Sequence, residues 1–144
     1  MTRIDFYILD RQTKDALGVL ACRIAEKAVR HDNDVLINVN SAADGARLDE
    51  LLWTFSQGSF LPHRLLSDKS RDDQGERVLI GNDVVPEDGP WDLLINLSGQ
   101  IPEFFSQFHR LAELIDADDD SKAAGRERFR YYRDRGYELH THQI

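Results

Sequence analysis

Val35-Leu-Ile-Asn-Val-Asn-Ser-Ala-Ala-Asp-Gly-Ala-Arg-Leu-Asp-Glu-Leu-Leu52 passes from one regular structure to another within a single stretch. Val35 to Val39 is a short apolar run, the pattern of a strand buried on both faces of a sheet. Ser41 is a good helix N-cap, and Asp44, three positions on, sets a carboxylate at the positive end of the helix dipole. Leu48, Leu51, Leu52 and Phe55 then give the helix its apolar face. A buried strand feeding directly into an amphipathic helix is the unit from which α/β folds are built.

The same alternation extends outward. Phe6-Tyr-Ile-Leu9 and Leu93-Leu-Ile-Asn-Leu97 read as further buried strands. Between the first two strands Leu17, Leu20, Ile24 and Ala28 recur at helical spacing beside Val29, with Lys14, Arg23, Lys27 and Arg30 available for the outer face. His31-Asp-Asn-Asp34 supplies the turn that stops this helix. Ser67 to Trp91 reads as two exposed loops around a brief strand, Val78-Leu-Ile80. Phe104, Phe105, Phe108, Leu111, Leu114 and Ile115, at i+3 and i+4 spacing, predict another helix. Asp116 to Asp120 reads as a solvated acidic turn, followed by a last helix over about Ser121 to Arg135 with Gly136 as its C-terminal glycine. The expected fold is a three-layer α/β/α sandwich around a mainly parallel sheet.

With 144 residues, 41% hydrophobic and 31% charged, the chain has the size of one domain, 1–144, able to bury a continuous core. No apolar run approaches the roughly 18 residues of a membrane span, and Met1 leads at once into a strand, so a soluble cytoplasmic protein is expected. Cys22 is the only cysteine, which excludes an intrachain disulfide; mid-helix among apolar neighbours, it reads as a buried inert thiol.

Chemistry-bearing motifs are sparse. The loop after the first strand, Asp10-Arg-Gln-Thr-Lys-Asp-Ala-Leu-Gly18, contains neither a P-loop nor G-x-G-x-x-G, so it lacks the glycines that let backbone amides cradle phosphates. Asp10 reads as a cap. His140 and His142 lack a third ligand and are placed on a fraying C-terminus, while His31, His63 and His109 stand alone. No catalytic residue, metal site or cofactor is expected.

Two surfaces are better marked. Lys122 to Arg135 holds six basic residues against Glu127 and Asp134, a local +4 in a chain of −8 whose remainder is therefore −12. On a helical wheel Lys122, Arg126, Arg130 and Arg133 form one stripe bordered by Phe129, with Gly125 and Tyr132 inward. Such a stripe can grip carboxylates, and a peptide ending in a free carboxylate with nearby Asp residues suits it. A solvated face with internally paired arginines fits the same pattern. The second surface is Trp53, Phe55, Phe60 and Leu61, crowded around a helix end and a loop closed by Pro62, part core and part partner site.

Phe6-Tyr-Ile-Leu-Asp10, Ala46-Arg-Leu-Asp-Glu-Leu-Leu-Trp53, Ser59-Phe-Leu-Pro-His63, Asp92-Leu-Leu-Ile-Asn-Leu97 and Arg126-Glu-Arg-Phe-Arg-Tyr-Tyr-Arg133 with Gly136, in this order, resemble the chi subunit family of bacterial DNA polymerase III. The resemblance implies a Rossmann-like fold without a P-loop and a non-catalytic clamp-loader accessory in DNA replication. It implies two protein partners: the psi subunit and the acidic, Phe-ending tail of single-stranded-DNA-binding protein (SSB). By position, Arg126 would hold the terminal carboxylate of that tail. Lys122 and Arg130, with Arg133 on the same stripe, would steer its Asp residues, and Phe129, where the family pattern has Tyr, would line the pocket for the terminal Phe. Trp53, Phe60, Leu61, Pro62 and His63 would form the psi surface, with Phe60 as anchor and a helicase-like protein as a possible competitor. Direct DNA binding is disfavoured by the −12 elsewhere. The rival reading is a small α/β enzyme holding a nucleotide or phosphorylated ligand at the strand C-terminal ends.

Overall fold

The computed structural model describes residues 1–56, 61–66 and 75–144. In chain order the elements are β1 (Arg3–Ile8), α1 (Ala16–Arg30), β2 (Val35–Asn38), α2 (Ala42–Thr54), β3 (His63–Leu65), β4 (Val78–Gly81), β5 (Leu93–Asn96), β6 (Arg110–Ile115), α3 (Asp119–Asp134) and β7 (Glu138–Gln143), with a 3-10 turn at Phe105–Gln107 before β6. Among the described residues the seven strands form one sheet in the order β3-β4-β2-β5-β6-β1-β7, every pair parallel.

Two cores lie on opposite faces of this sheet. On one, Ala21, Cys22 and Ala25 of α1 and Leu48 and Leu52 of α2 pack on Val35, Ile37, Val78 and Ile95. On the other, Tyr132 of α3 with Phe105 and Phe108 covers Phe6, Leu36, Leu94 and Leu111. Cys22 is fully buried, and that burial pushes its thiol up to about 12, which keeps it inert. Ser41 caps α2, its hydroxyl accepting from the Asp44 N–H at 3.1 Å.

Three segments differ from expectation. The helix expected over Phe104 to Ile115 does not form: a 3-10 turn at Phe105–Gln107 leads into β6, a central strand between β1 and β5. Its apolar residues face both cores, so their spacing mimics a helical period, and Glu113 in their midst conceals the continuous run of a buried strand. The second is the C-terminus, which does not fray: β7 pairs with β1 from Glu138 to Gln143. Its His142 ring stacks on Tyr7 with centroids 4.7 Å apart and lies 2.9 Å from the Asp5 carboxylate. The third is β3, three residues long, which carries no strand pattern of its own. Of the expected loops around β4, residues 67–74 lie outside the described residues; at their far end Trp91 is half-buried, edge-on to Phe108 at 5.4 Å.

One polar feature crosses the interior. Asn38, Asn96 and Glu113 stand side by side on β2, β5 and β6 by register. Asn38 donates to Asn96 at 3.2 Å, Asn96 donates to Glu113 at 2.8 Å, and the Tyr132 hydroxyl donates to Glu113 at 2.6 Å. Arg128 completes the set, with its Nε 3.2 Å from Glu113 as an ion pair and its Nη1 donating to the Gly99 carbonyl at 2.8 Å. Burial pushes the Glu113 carboxyl above its ordinary range, and Arg128, Tyr132 and Asn96 pull against that shift. With donors on both oxygens the geometry is that of an ionised carboxylate paired with a buried guanidinium.

Candidate functional site

The helix α3 is set by three local devices. The Asp118 side chain caps its N-terminus, accepting from the Ser121 N–H at 3.0 Å, so the acidic turn is partly cap and partly first helical turn. Gly136 takes φ +81 just past its end, the left-handed conformation that glycine adopts without strain. Gly125 faces the sheet where a Cβ would collide with Ile115, so its bare backbone lets α3 lie close on β6.

That close approach creates a cleft of about 320 Å³ between α3 and the β1–β7 margin. Its walls are the rings and side chains of Phe6, Ile8, Ile115 and Phe129, with Phe6 and Phe129 edge-to-face at 5.3 Å. Lys122 and Arg126 of α3 and Thr141 and Gln143 of β7 complete its lining. Neither cationic side chain has a hydrogen-bond or ion-pair partner among the described residues.

The other basic groups of α3 are engaged elsewhere. Arg130 is held by Glu127 at 2.6 Å and Arg133 by Asp134 at 3.1 Å, both outside the cleft lining. Arg135 lies over the Tyr131 ring, 3.4 Å from its centroid. Arg128 is buried on Glu113 and adds nothing to the outer field. The local +4 of the sequence is thereby sorted: Glu113 neutralises Arg128, Arg135 rests on the Tyr131 ring, and Lys122 and Arg126 sit where an apolar pocket opens. Phe6, Ile8, Thr141 and Gln143 escape sequence reasoning because they join the site only once β7 is added to the sheet; the one available signal was the alternation of Leu139, Thr141 and Gln143 with His140 and His142.

The second surface lies at the C-terminal end of α2. Trp53 is 53% exposed, its ring tilted against His63 with centroids 4.5 Å apart. His63 is buried, its Nδ1–H donating to the Leu61 carbonyl at 2.7 Å and its Nε2 facing Asp49 at 3.1 Å. Leu61 is a core residue at 4% exposure, while Pro62 and Phe55 are half-buried. Phe60 lies outside the described residues. Among the described residues Trp53 is thus the large apolar group that this helix end presents, with its ring against His63.

No cluster of metal-ligating side chains occurs among the described residues, and no described helix is long and apolar enough to cross a membrane. Asp10 is exposed, beside Arg11 at 4.0 Å.

The family model described as DNA polymerase III chi subunit, HolC, matches residues 1–140. The DNA polymerase III subunit chi of Pseudomonas aeruginosa is 37% identical over 144 residues, covering 100% of this chain and 98% of that protein. The Escherichia coli subunit chi is 32% identical over 145 residues, covering 98% and 97%, and that of Haemophilus influenzae is 30% identical over 146 residues, covering 96% and 95%. Among solved structures, T4 UvsW superposes with a TM-score of 0.73 at 9% identity, covering 99% of this chain and 41% of its own, a likeness of fold alone. A family match over nearly the whole length, joined by full-length relatives, places this α/β chain in the DNA polymerase III chi subunit family.

Proposed function

We propose that the chain is a non-catalytic linker in the polymerase III holoenzyme, docking the C-terminal tail of SSB in the α3 cleft and the psi subunit of the clamp loader at the Trp53 surface. The observation that carries the reading is that Lys122 and Arg126, without partners among the described residues, line a pocket walled by Phe6 and Phe129. An acidic peptide ending in Phe offers a ring for those walls and a carboxylate for Arg126, whose planar fork can donate to both oxygens. Arg130 and Arg133 contribute to encounter, since their exposed pairs with Glu127 and Asp134 are weak and can exchange for ligand carboxylates. The strand ends, where doubly wound folds hold nucleotides, are occupied on the α3 face by the Asn38–Asn96–Glu113 network, which favours the linker reading over a phosphorylated-ligand enzyme.

Fluorescence anisotropy of a labelled Asp-Asp-Asp-Ile-Pro-Phe peptide, beside one lacking the Phe, tests this. Saturable binding that requires the Phe, weakens as salt rises and falls at least about tenfold in Arg126→Ala is expected. Equal binding of both peptides, or full affinity in Arg126→Ala, would sink the assignment.

A further inference from the structure

A second cationic cavity lies on the opposite face of the sheet. Side chains alternate along β1, so Phe6 serves the α3 cleft while Tyr7 faces α1. Arg23 and Lys27, one turn apart on α1, and Arg110 at the start of β6 border a cavity of about 410 Å³ with an apolar floor of Tyr7, Ile24 and Leu93. Three cations line this cavity and no carboxylate does.

The charges there are poorly compensated within the protein. Arg23 and Lys27 make no side-chain hydrogen bond or ion pair among the described residues, while Glu26 between them turns to Arg30 at 3.1 Å. Arg110 reaches the buried Asp5 at 3.3 Å, but that carboxylate also serves Arg3 at 3.3 Å and His142 at 2.9 Å. Gathering cations around a concave apolar floor, in a chain of net charge −8, costs self-repulsion that a bound anion would relieve.

The lining narrows the class of anion. His31 and Asn33, from the turn after α1, complete the lining with further polar groups. The cations come from α1 and from the start of β6, interleaved with the aromatic and aliphatic side chains of Tyr7, Ile24 and Leu93. A phosphate joined to a planar body matches both. The cavity sits at the strand starts, with Leu93 and Arg110 the first residues of β5 and β6, so the missing P-loop at the other end of the sheet has no bearing on it. We propose that this cavity binds a nucleoside 5′-phosphate, its phosphate held by Arg23, Lys27 and Arg110 and its base against Tyr7, Ile24 and Leu93.

Isothermal titration calorimetry at low salt, with dAMP, deoxyadenosine, inorganic phosphate and a short oligothymidylate bearing a 5′-phosphate or a 5′-hydroxyl, tests the site. Binding of dAMP should exceed that of phosphate, deoxyadenosine should give no signal, and the double variant Arg23→Gln/Lys27→Gln should lose about tenfold or more. Both side chains are exposed, so the variant should fold, and its affinity for the acidic tail peptide should be unchanged. A phosphorylated oligonucleotide binding more tightly than dAMP would identify a nucleic-acid end as the source of the phosphate; equal or weaker binding would identify a free nucleotide. No binding of dAMP or either oligonucleotide, or undiminished binding in the double variant, would overturn the proposal. Loss of tail-peptide binding in that variant would also overturn it, by making the cavity part of the peptide site.

Discussion

Arg128 and Arg126 are two residues apart on one helix, and their roles diverge entirely with the direction they face. Arg126 lines the cleft without a partner among the described residues, while Arg128 turns inward to Glu113 and is 5% exposed. A buried guanidinium is tolerable only because an ionised carboxylate, itself satisfied by Tyr132 and Asn96, stands opposite. Removing one member leaves an uncompensated charge in the core. Arg128→Ala is therefore expected to destabilise the fold by about 3–5 kcal/mol in urea denaturation. Arg128→Met combined with Glu113→Leu should recover much of that loss, because an apolar pair leaves no orphaned charge. An unchanged midpoint for Arg128→Ala would mean that the pair is solvated in solution.

At the scale of elements, β7 decides whether the cleft exists, since Thr141 and Gln143 close it and the strand is the outermost of the sheet. Beyond its backbone ladder with β1, it is tied down by His142 on Asp5. Burial would raise the Asp5 carboxyl, but the hydrogen bonds from His142 and Arg3 and the charges of Arg3 and Arg110 outweigh it and hold the group below its ordinary value. An acid whose pKa is lowered on folding lends stability at neutral pH that disappears as pH falls through and below the usual carboxylate range near about 3.9. Asp5→Asn should flatten the acid limb of the stability–pH curve, measured by denaturation from pH 7 downward, and a limb unchanged from wild type would remove Asp5 from the account. At the other end of the sheet, Trp53→Ala should abolish co-purification with psi and leave tail-peptide binding intact; loss of both would indicate misfolding.

These elements also show what the amino-acid order makes legible. The runs at Val35 and Leu93, the Ser41 cap and the Gly136 stop are local signals, and the structure repeats them nearly residue for residue. The segments that differ depend on distant partners. Leu111 to Ile115 becomes a strand because β1 and β5 flank it, and Glu138 to Gln143 because the β1 edge is open. For the same reason Lys122, Arg126 and Phe129 were legible as a stripe on one helix, whereas Phe6, Ile8, Thr141 and Gln143 become site residues only after the strands are ordered.

Across the whole molecule, charge is apportioned rather than merely summed. The chain carries −8, yet among the described residues Arg23 and Lys27, and Lys122 and Arg126, stand without partners at two cavities on opposite faces of the sheet. A net-negative body repels polyanions at long range, while local positive fields admit a small or tapered anion at short range. The Trp53 surface lies at the far end of the strand order, beside β3, whereas the α3 cleft lies beside β7. One chain can hold two protein partners at once on that layout, which is what a linker requires. The most direct test is amide chemical-shift mapping of the labelled protein titrated with the Phe-ending acidic peptide. The account predicts the largest shifts at Phe6 to Ile8, Lys122 to Phe129 and Thr141 to Gln143, with Trp53 and His63 unmoved. Shifts centred on the end of α2 or on Arg23 and Lys27, or none at saturating peptide, would contradict it.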